Sequence, residues 1–189
     1  MIEVEIRGRL NEDEYGRLKA FLEANGKRIK HTDREMFLLY DYPGYSHDPM
    51  VRETDIRLRN TNGDCEIMLK KKSSANNEAR EETSLKLKEH DLENAKKVMK
   101  ALGYGKALHM ERSTDIYGYQ GIEWSLVRPP KDLFYYEAEK EADSPARVEA
   151  VHAELISAAR ALGLEVLGPD QMKEFIYFLD KEVNKEVEF

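Results

Sequence analysis

The stretch that decides the fold is residues 2–9, Ile2-Glu3-Val4-Glu5-Ile6-Arg7-Gly8-Arg9. Its residue types alternate strictly, with Ile2, Val4, Ile6 and Gly8 on one side and Glu3, Glu5, Arg7 and Arg9 on the other. Successive side chains of an extended chain point to opposite faces, so the pattern predicts a half-buried strand. Its polar face is wholly charged.

The same habit recurs along the chain. Residues 54–60 and 65–72 read as a hairpin, with Asn62-Gly63 at its turn, the dipeptide that favours tight hairpins. That hairpin carries Arg57, Arg59, Lys70 and Lys72 at every second position. Residues 79–87 carry Arg80 and Glu82, and residues 108–117, 120–127 and 133–141 carry Arg112, Glu123, then Glu137 and Glu139. A further strand is predicted over residues 34–42, and a polar turn over 73–78. Asn11 with Glu14 predicts a capping box for a helix that Gly26 ends as a left-handed cap. Asp91 is expected to cap a second helix ending at Gly103; Ser144-Pro145 starts a third, and Pro169 a last helical segment with a charged tail. The order is β-α-β-β-β-β-α-β-β-β-α-α. Strands joined mostly by short turns predict an antiparallel sheet or barrel with helices outside, in one domain over 1–189.

Charges on alternate strand positions ordinarily belong to a solvated outer face. Here they segregate by sign: the first and last strands are acidic and the middle hairpin is basic. Acidic and basic pairs on one interior make sense when a divalent cation and a polyanion lie between them. Arg and Lys neutralise phosphate oxygens, Arg bidentately. Carboxylates hold a hard cation.

Composition narrows the rest. The 189 residues carry a net charge of −7 with 35% charged and 41% hydrophobic residues, which argues against a nucleic-acid polymer as partner. The single cysteine, Cys65, excludes an intramolecular disulfide and a cysteine zinc cluster, and reads as a buried apolar residue. No signal peptide or membrane-length apolar run is seen, so no membrane partner and a cytoplasmic location are expected. The five histidines lack metal-ligand spacing, with His47 and His90 expected near loops; Trp124, Tyr135 and Tyr136 read as packing residues.

Glu3-Val4-Glu5-Ile6-Arg7 resembles the E-x-E-x-K signature of the CYTH superfamily, the triphosphate tunnel enzymes that include class IV adenylyl cyclases, thiamine triphosphatases and inorganic triphosphatases. Further along, Ile56-Arg57-Leu58-Arg59, Met68-Leu69-Lys70, Arg80-Glu81-Glu82, Glu111-Arg112-Ser113 and Tyr136-Glu137-Ala138-Glu139 resemble later strands of that family, in order. The resemblance implies an α+β fold with an eight-stranded antiparallel β-barrel and helices packed outside. It implies Glu3, Glu5, Glu123, Glu137 and Glu139 as metal ligands for Mg²⁺ or Mn²⁺. It implies Arg57, Arg59, Lys70, Lys72, Arg80 and Arg112 as the grip on a triphosphate-bearing small molecule, with Arg7, Lys70 and Glu82 in the catalytic group. Three departures stand out: Arg7 replaces the family lysine, Met110 stands where a lysine is frequent, and the usual late acidic residue is absent, with Glu123 as its nearest substitute. The expected activity is metal-dependent triphosphate hydrolysis. The alternatives are a class IV-type cyclase, a non-catalytic polyphosphate- or nucleotide-binding module, and a β-rich domain whose charged face is merely outside. A homodimer is compatible with all of them.

Overall fold

The computed structural model describes residues 2–49, 51–72, 79–88 and 91–189, and only the backbone of Ala79 and Arg80. The expected turn over 73–78 and His90 lie outside the described residues. Eight antiparallel strands form a ring: β1 (Ile2–Leu10), β2 (Lys27–Leu39), β3 (Thr54–Thr61), β4 (Asp64–Lys72), β5 (Ala79–Lys86), β6 (Lys106–Tyr119), β7 (Ile122–Arg128) and β8 (Phe134–Ala142). Their spatial order is β2-β3-β4-β5-β1-β8-β7-β6, and β6 returns to pair with β2. The β2–β6 ladder is long, from Lys27↔Gly118 to Leu39↔Ala107. Among the described residues the β1–β5 seam pairs Glu3↔Arg80 and Val4↔Ala79. The barrel is thus a strongly curled sheet.

The apolar core lies outside this ring, between the sheet and the helices. α1 (Glu12–Asn25) and α3 (Val148–Ala161) cover Val4, Ile6, Trp124, Leu126 and Tyr136 with Leu22 and Leu155. α2 (Leu92–Ala101) covers Leu39, Leu58 and Cys65. α4 (Pro169–Phe178) sets Phe175 against Val127 and Tyr135. Trp124 and Tyr136 therefore pack as expected, both fully buried. Since Val4 and Ile6 face outward, period two sends Glu3, Glu5 and Arg7 inward.

Local chemistry explains most boundaries. Asn11 and Glu14 form the expected capping box, at 2.9 and 2.8 Å. Asn62 and Gly63 have φ of 54° and 100°, as a tight hairpin turn requires. Asp91 makes no side-chain cap to α2; its carboxylate instead accepts from Asn94 at 2.5 Å. Gly26 is extended, not left-handed. Its lack of a side chain is used for space, since a Cβ there would lie 3.0 Å from the Gly118 carbonyl.

Two elements differ from the sequence expectation. β2 begins seven residues before residue 34, because its first half, Lys27 to Asp33, is polar and is specified by pairing with β6 rather than by alternation. The charged tail contains a ninth strand, β9 (Lys185–Glu188), along the upper part of β6 that β7 leaves open.

Gly8 is the tightest point of the fold. A Cβ there would lie 2.1 Å from the Glu165 carbonyl and 2.3 Å from Tyr136 Cε1, where β1 meets the chain leaving α3. Gly8→Ala is expected to cost about 3 kcal/mol, by displacing that segment, and denaturant unfolding of the purified variant measures it.

Candidate functional site

The inward faces of the strands enclose a cavity of about 290 Å³, close to the lower end of small-ligand pockets (about 300–1,000 Å³). Glu3, Glu5 and Arg7 reach it from β1, Arg34 from β2, Arg57 and Arg59 from β3, and Lys70 from β4. Glu82 enters from β5, Arg112 from β6, Glu123 from β7, and Tyr135, Glu137 and Glu139 from β8. The charged faces are therefore interior.

At one end the lumen is acidic. Glu3, Glu5 and Glu139 each offer a carboxylate oxygen within 4.8 Å of the others. Burial pushes Glu139 up to about 9, and the neighbouring Glu3, Glu5 and Glu123 add to that shift. Burial likewise lifts Glu3 to about 7, helped by Glu5 and Glu82 and opposed by Lys70. The Lys70 ammonium lies 3.2 Å from Glu3 and pairs with Glu82. Three hard oxygen donors this close together fit a divalent cation, whose charge would favour their ionised form.

Beyond this group the lumen turns basic. Glu137 is held between Arg7 and Arg112, at 3.1 Å from each. Burial opposes its charge, but Arg112 and Arg7 outweigh burial and hold it down to about 2. Two of the nearby arginines are backed by dedicated carboxylates: Arg57 by Asp55 at 2.5 Å, and Arg59 by Glu66, which also binds Lys86. Arg34 has no ion pair among the described residues and bonds Thr61 Oγ1 at 3.1 Å. Burial, then the crowding of Arg112, Arg59 and Arg57, lowers its pKa to about 10. The Nε donors of Arg57 and Arg112 are buried with no acceptor among the described residues. Unpaired buried donors in a crowd of guanidiniums are what an anionic ligand would satisfy.

The residues predicted from sequence separate here. Glu3, Glu5 and Glu139 converge. Glu137 faces arginines instead, and Glu123 lines the cavity without joining the three-oxygen group. Arg57, Arg59, Lys70 and Arg112 line the lumen, whereas Lys72 does not. The Arg80 side chain is outside the described residues. Glu5 accepts from Arg7 Nε at 2.5 Å, so it has a protein partner as well as the metal group. Sequence reasoning missed Arg34, because the inward neighbours Met36 and Leu38 make that strand face look apolar. It also read Tyr135 as packing first; the hydroxyl enters the lumen as well and accepts from Arg112 at 3.2 Å.

A curled antiparallel ring with its core outside encloses a carboxylate group that could hold a metal ion, facing a crowd of guanidiniums. The CYTH domain model matches residues 1–170, and the chain belongs to the CYTH domain family, which comprises metal-dependent triphosphatases and cyclases. No curated protein matches the chain. Among solved structures, a Pyrococcus horikoshii protein has a TM-score of 0.74 at 18% identity, covering 93% of this chain and 98% of its own. An adenylate cyclase candidate from Vibrio parahaemolyticus has a TM-score of 0.67 at 16% identity, covering 87% and 90%. An adenylyl cyclase candidate from Hippeastrum, described as having a dominant triphosphatase activity, has a TM-score of 0.56 at 15% identity, covering 87% and 89%. At these identities the likeness is one of fold. Among the described residues no helix is long and apolar enough to cross a membrane.

The raised carboxyls have a sign that can be checked. Glu139 has a folded pKa of about 9 against an ordinary 4.5, so metal-free stability falls as pH rises between those values. In chelator at pH 8, Glu139→Gln is expected to melt about 3 °C or more above the parent. With Mn²⁺ the parent gains and the variant does not. Scanning calorimetry from pH 5 to 9, with and without metal, reads both effects.

Proposed function

We propose that the chain hydrolyses a triphosphate-bearing small molecule in this lumen with Mg²⁺ or Mn²⁺. The observation that carries the reading is Arg34, a guanidinium with no ion pair among the described residues, which sits with Arg57, Arg59 and Arg112 and opens onto the same cavity as the Glu3-Glu5-Glu139 group. Such a cluster is self-repelling until an anion of several charges neutralises it, and a phosphate chain does so with oxygens spaced to meet several forks.

Glu3, Glu5 and Glu139 would hold the cation, which when bound supplies Lewis-acid polarisation of a phosphoryl oxygen. Arg34, Arg57, Arg59 and Arg112 would orient the non-bridging oxygens and take up charge as the phosphoryl group transfers. Arg7 is held above the ordinary arginine range by Glu5 and Glu137, against the opposing effect of burial. It is therefore a fixed positive charge and cannot take a proton from water. Lys70, between Glu3 and Glu82, would bridge the acidic and basic ends, with Glu82 holding its ammonium in place.

Cyclisation of a nucleoside triphosphate is the second reading. It would use the same cradle, with the ribose 3′-oxygen attacking the α-phosphate. The Vibrio neighbour, an adenylate cyclase candidate, and the Hippeastrum neighbour, an adenylyl cyclase candidate, favour keeping it, and the dominant triphosphatase activity of the latter also favours hydrolysis. An enclosed lumen and a net charge of −7 argue against a nucleic-acid polymer.

The test is phosphate release and cyclic-nucleotide formation, followed together over inorganic triphosphate, nucleoside triphosphates and thiamine triphosphate. Release is expected only with Mg²⁺ or Mn²⁺. Glu5→Gln should lose about 100-fold or more in kcat with the fold intact, and Arg34→Ala about 100-fold in kcat/KM. Cyclic product would replace hydrolysis by the second reading. Parent-like turnover in both variants would remove the lumen from the reaction.

A further inference from the structure

The lumen has a third compartment that neither the cation nor the phosphate chain uses. On β2 the inward face runs Arg34, Met36, Leu38 toward the loop before β3. Met36 is in register with Met110, one rung beyond the Arg34–Arg112 pair. The helix α4 closes this end. Leu167, just before it, donates to the Arg7 carbonyl at 2.8 Å, and Lys173 pairs with Asp48 at 2.7 Å. α4 has two apolar faces. Phe175 is buried against Tyr135, ring centroids 5.4 Å apart. Met172, Ile176 and Leu179 are half-buried and border the cavity.

We infer that this compartment, bounded by Met36, Leu38, Met110, Met172, Ile176 and Leu179, seats an apolar organic group esterified to the phosphate chain, so that the ligand is an organic triphosphate rather than inorganic triphosphate. The inference rests on the triphosphate reading above and adds the ligand's other end to it. Apolar wall beside a wet, charged lumen stays hydrated unless a ligand covers it, and covering it favours binding. The position is continuous with the guanidinium rung, since Arg57 reaches Met36 Sδ at 3.8 Å. The group that follows the terminal phosphates along the axis therefore enters the methionine rung next. Three methionines among the six residues give a wall that adapts to a ring and contacts its edge favourably. Asn184, donating to Asp180 at 2.8 Å, borders the same cavity and offers polar atoms to a ring edge. Met172, Ile176 and Leu179 all lie beyond residue 170, where the family match ends.

Electrostatics ranks the ligands in the opposite order, which makes the test decisive. A triphosphate ester has one ionisable oxygen fewer than inorganic triphosphate, so charge alone favours the inorganic ion in the arginine cradle. Titration calorimetry with Ca²⁺ in place of Mg²⁺, to slow turnover, compares inorganic triphosphate, phenyl triphosphate and adenosine triphosphate on the full chain. Both esters are expected to bind about tenfold tighter than inorganic triphosphate, a difference of about 1.4 kcal/mol. Ile176→Asn, which changes no charge, should erase that margin and leave inorganic triphosphate affinity unchanged. Met110→Gln is the second variant, on the barrel wall, and should do the same if Ile176→Asn does not fold. Inorganic triphosphate binding as tightly as the esters, or a margin that survives both variants, overturns the inference and leaves the triphosphate reading standing. Failure of all three ligands to bind overturns both.

Discussion

The structure depends on the matching of charge inside a closed space. Glu137, bridging Arg7 and Arg112, is the centre of that match. A carboxylate removed from water is costly unless charge and hydrogen bonds replace its hydration. Two guanidiniums do so here, and each of them would be equally costly without Glu137. Asp55 with Arg57, and Glu66 with Arg59, repeat the solution on the opposite wall. These pairs hold long side chains at fixed depths in the lumen, so that the remaining charges have fixed positions too.

The match is incomplete at two places, and they are the places with chemistry to offer. Glu3, Glu5 and Glu139 are crowded together, with burial and neighbouring carboxyls opposing ionisation of Glu3 and Glu139, and Arg34 has no ion pair among the described residues. The fold tolerates this because its stability is located elsewhere. Most apolar side chains of the strands face outward, beneath four helices, and their burial there is independent of what the lumen contains. A barrel with a conventional apolar interior would have no room for such repulsion. Reversing inside and outside separates the energy that folds the chain from the energy held in reserve for ligands.

Much of this was legible in the residue order. Strict alternation in residues 2–9 and in the Arg57–Arg59 hairpin marked the strands, and segregation of charge by sign marked an interior. Other features lacked a local signal. Arg34 is followed on its face by the apolar Met36 and Leu38, and Lys27 to Asp33 has no alternation because it is specified by pairing with β6. Tyr135 serves two surfaces at once, its ring against Phe175 and its hydroxyl toward Arg112. Gly26 is needed for closeness to Gly118, a residue ninety-two positions away in sequence, where a left-handed cap was the local expectation.

The sequence by itself determined which residues share a face, since the period of a strand depends only on backbone geometry. It thereby determined that Glu3 goes with Glu5, Arg57 with Arg59, and Glu137 with Glu139. Tertiary structure decided what each face meets. Curling the sheet and its shear set Glu139 beside Glu3 and Glu5 while turning Glu137, two residues earlier, toward Arg7 and Arg112. Register across strands is a property of the whole ring, fixed by side-chain packing outside it and charge matching within it, and no single strand carries that information.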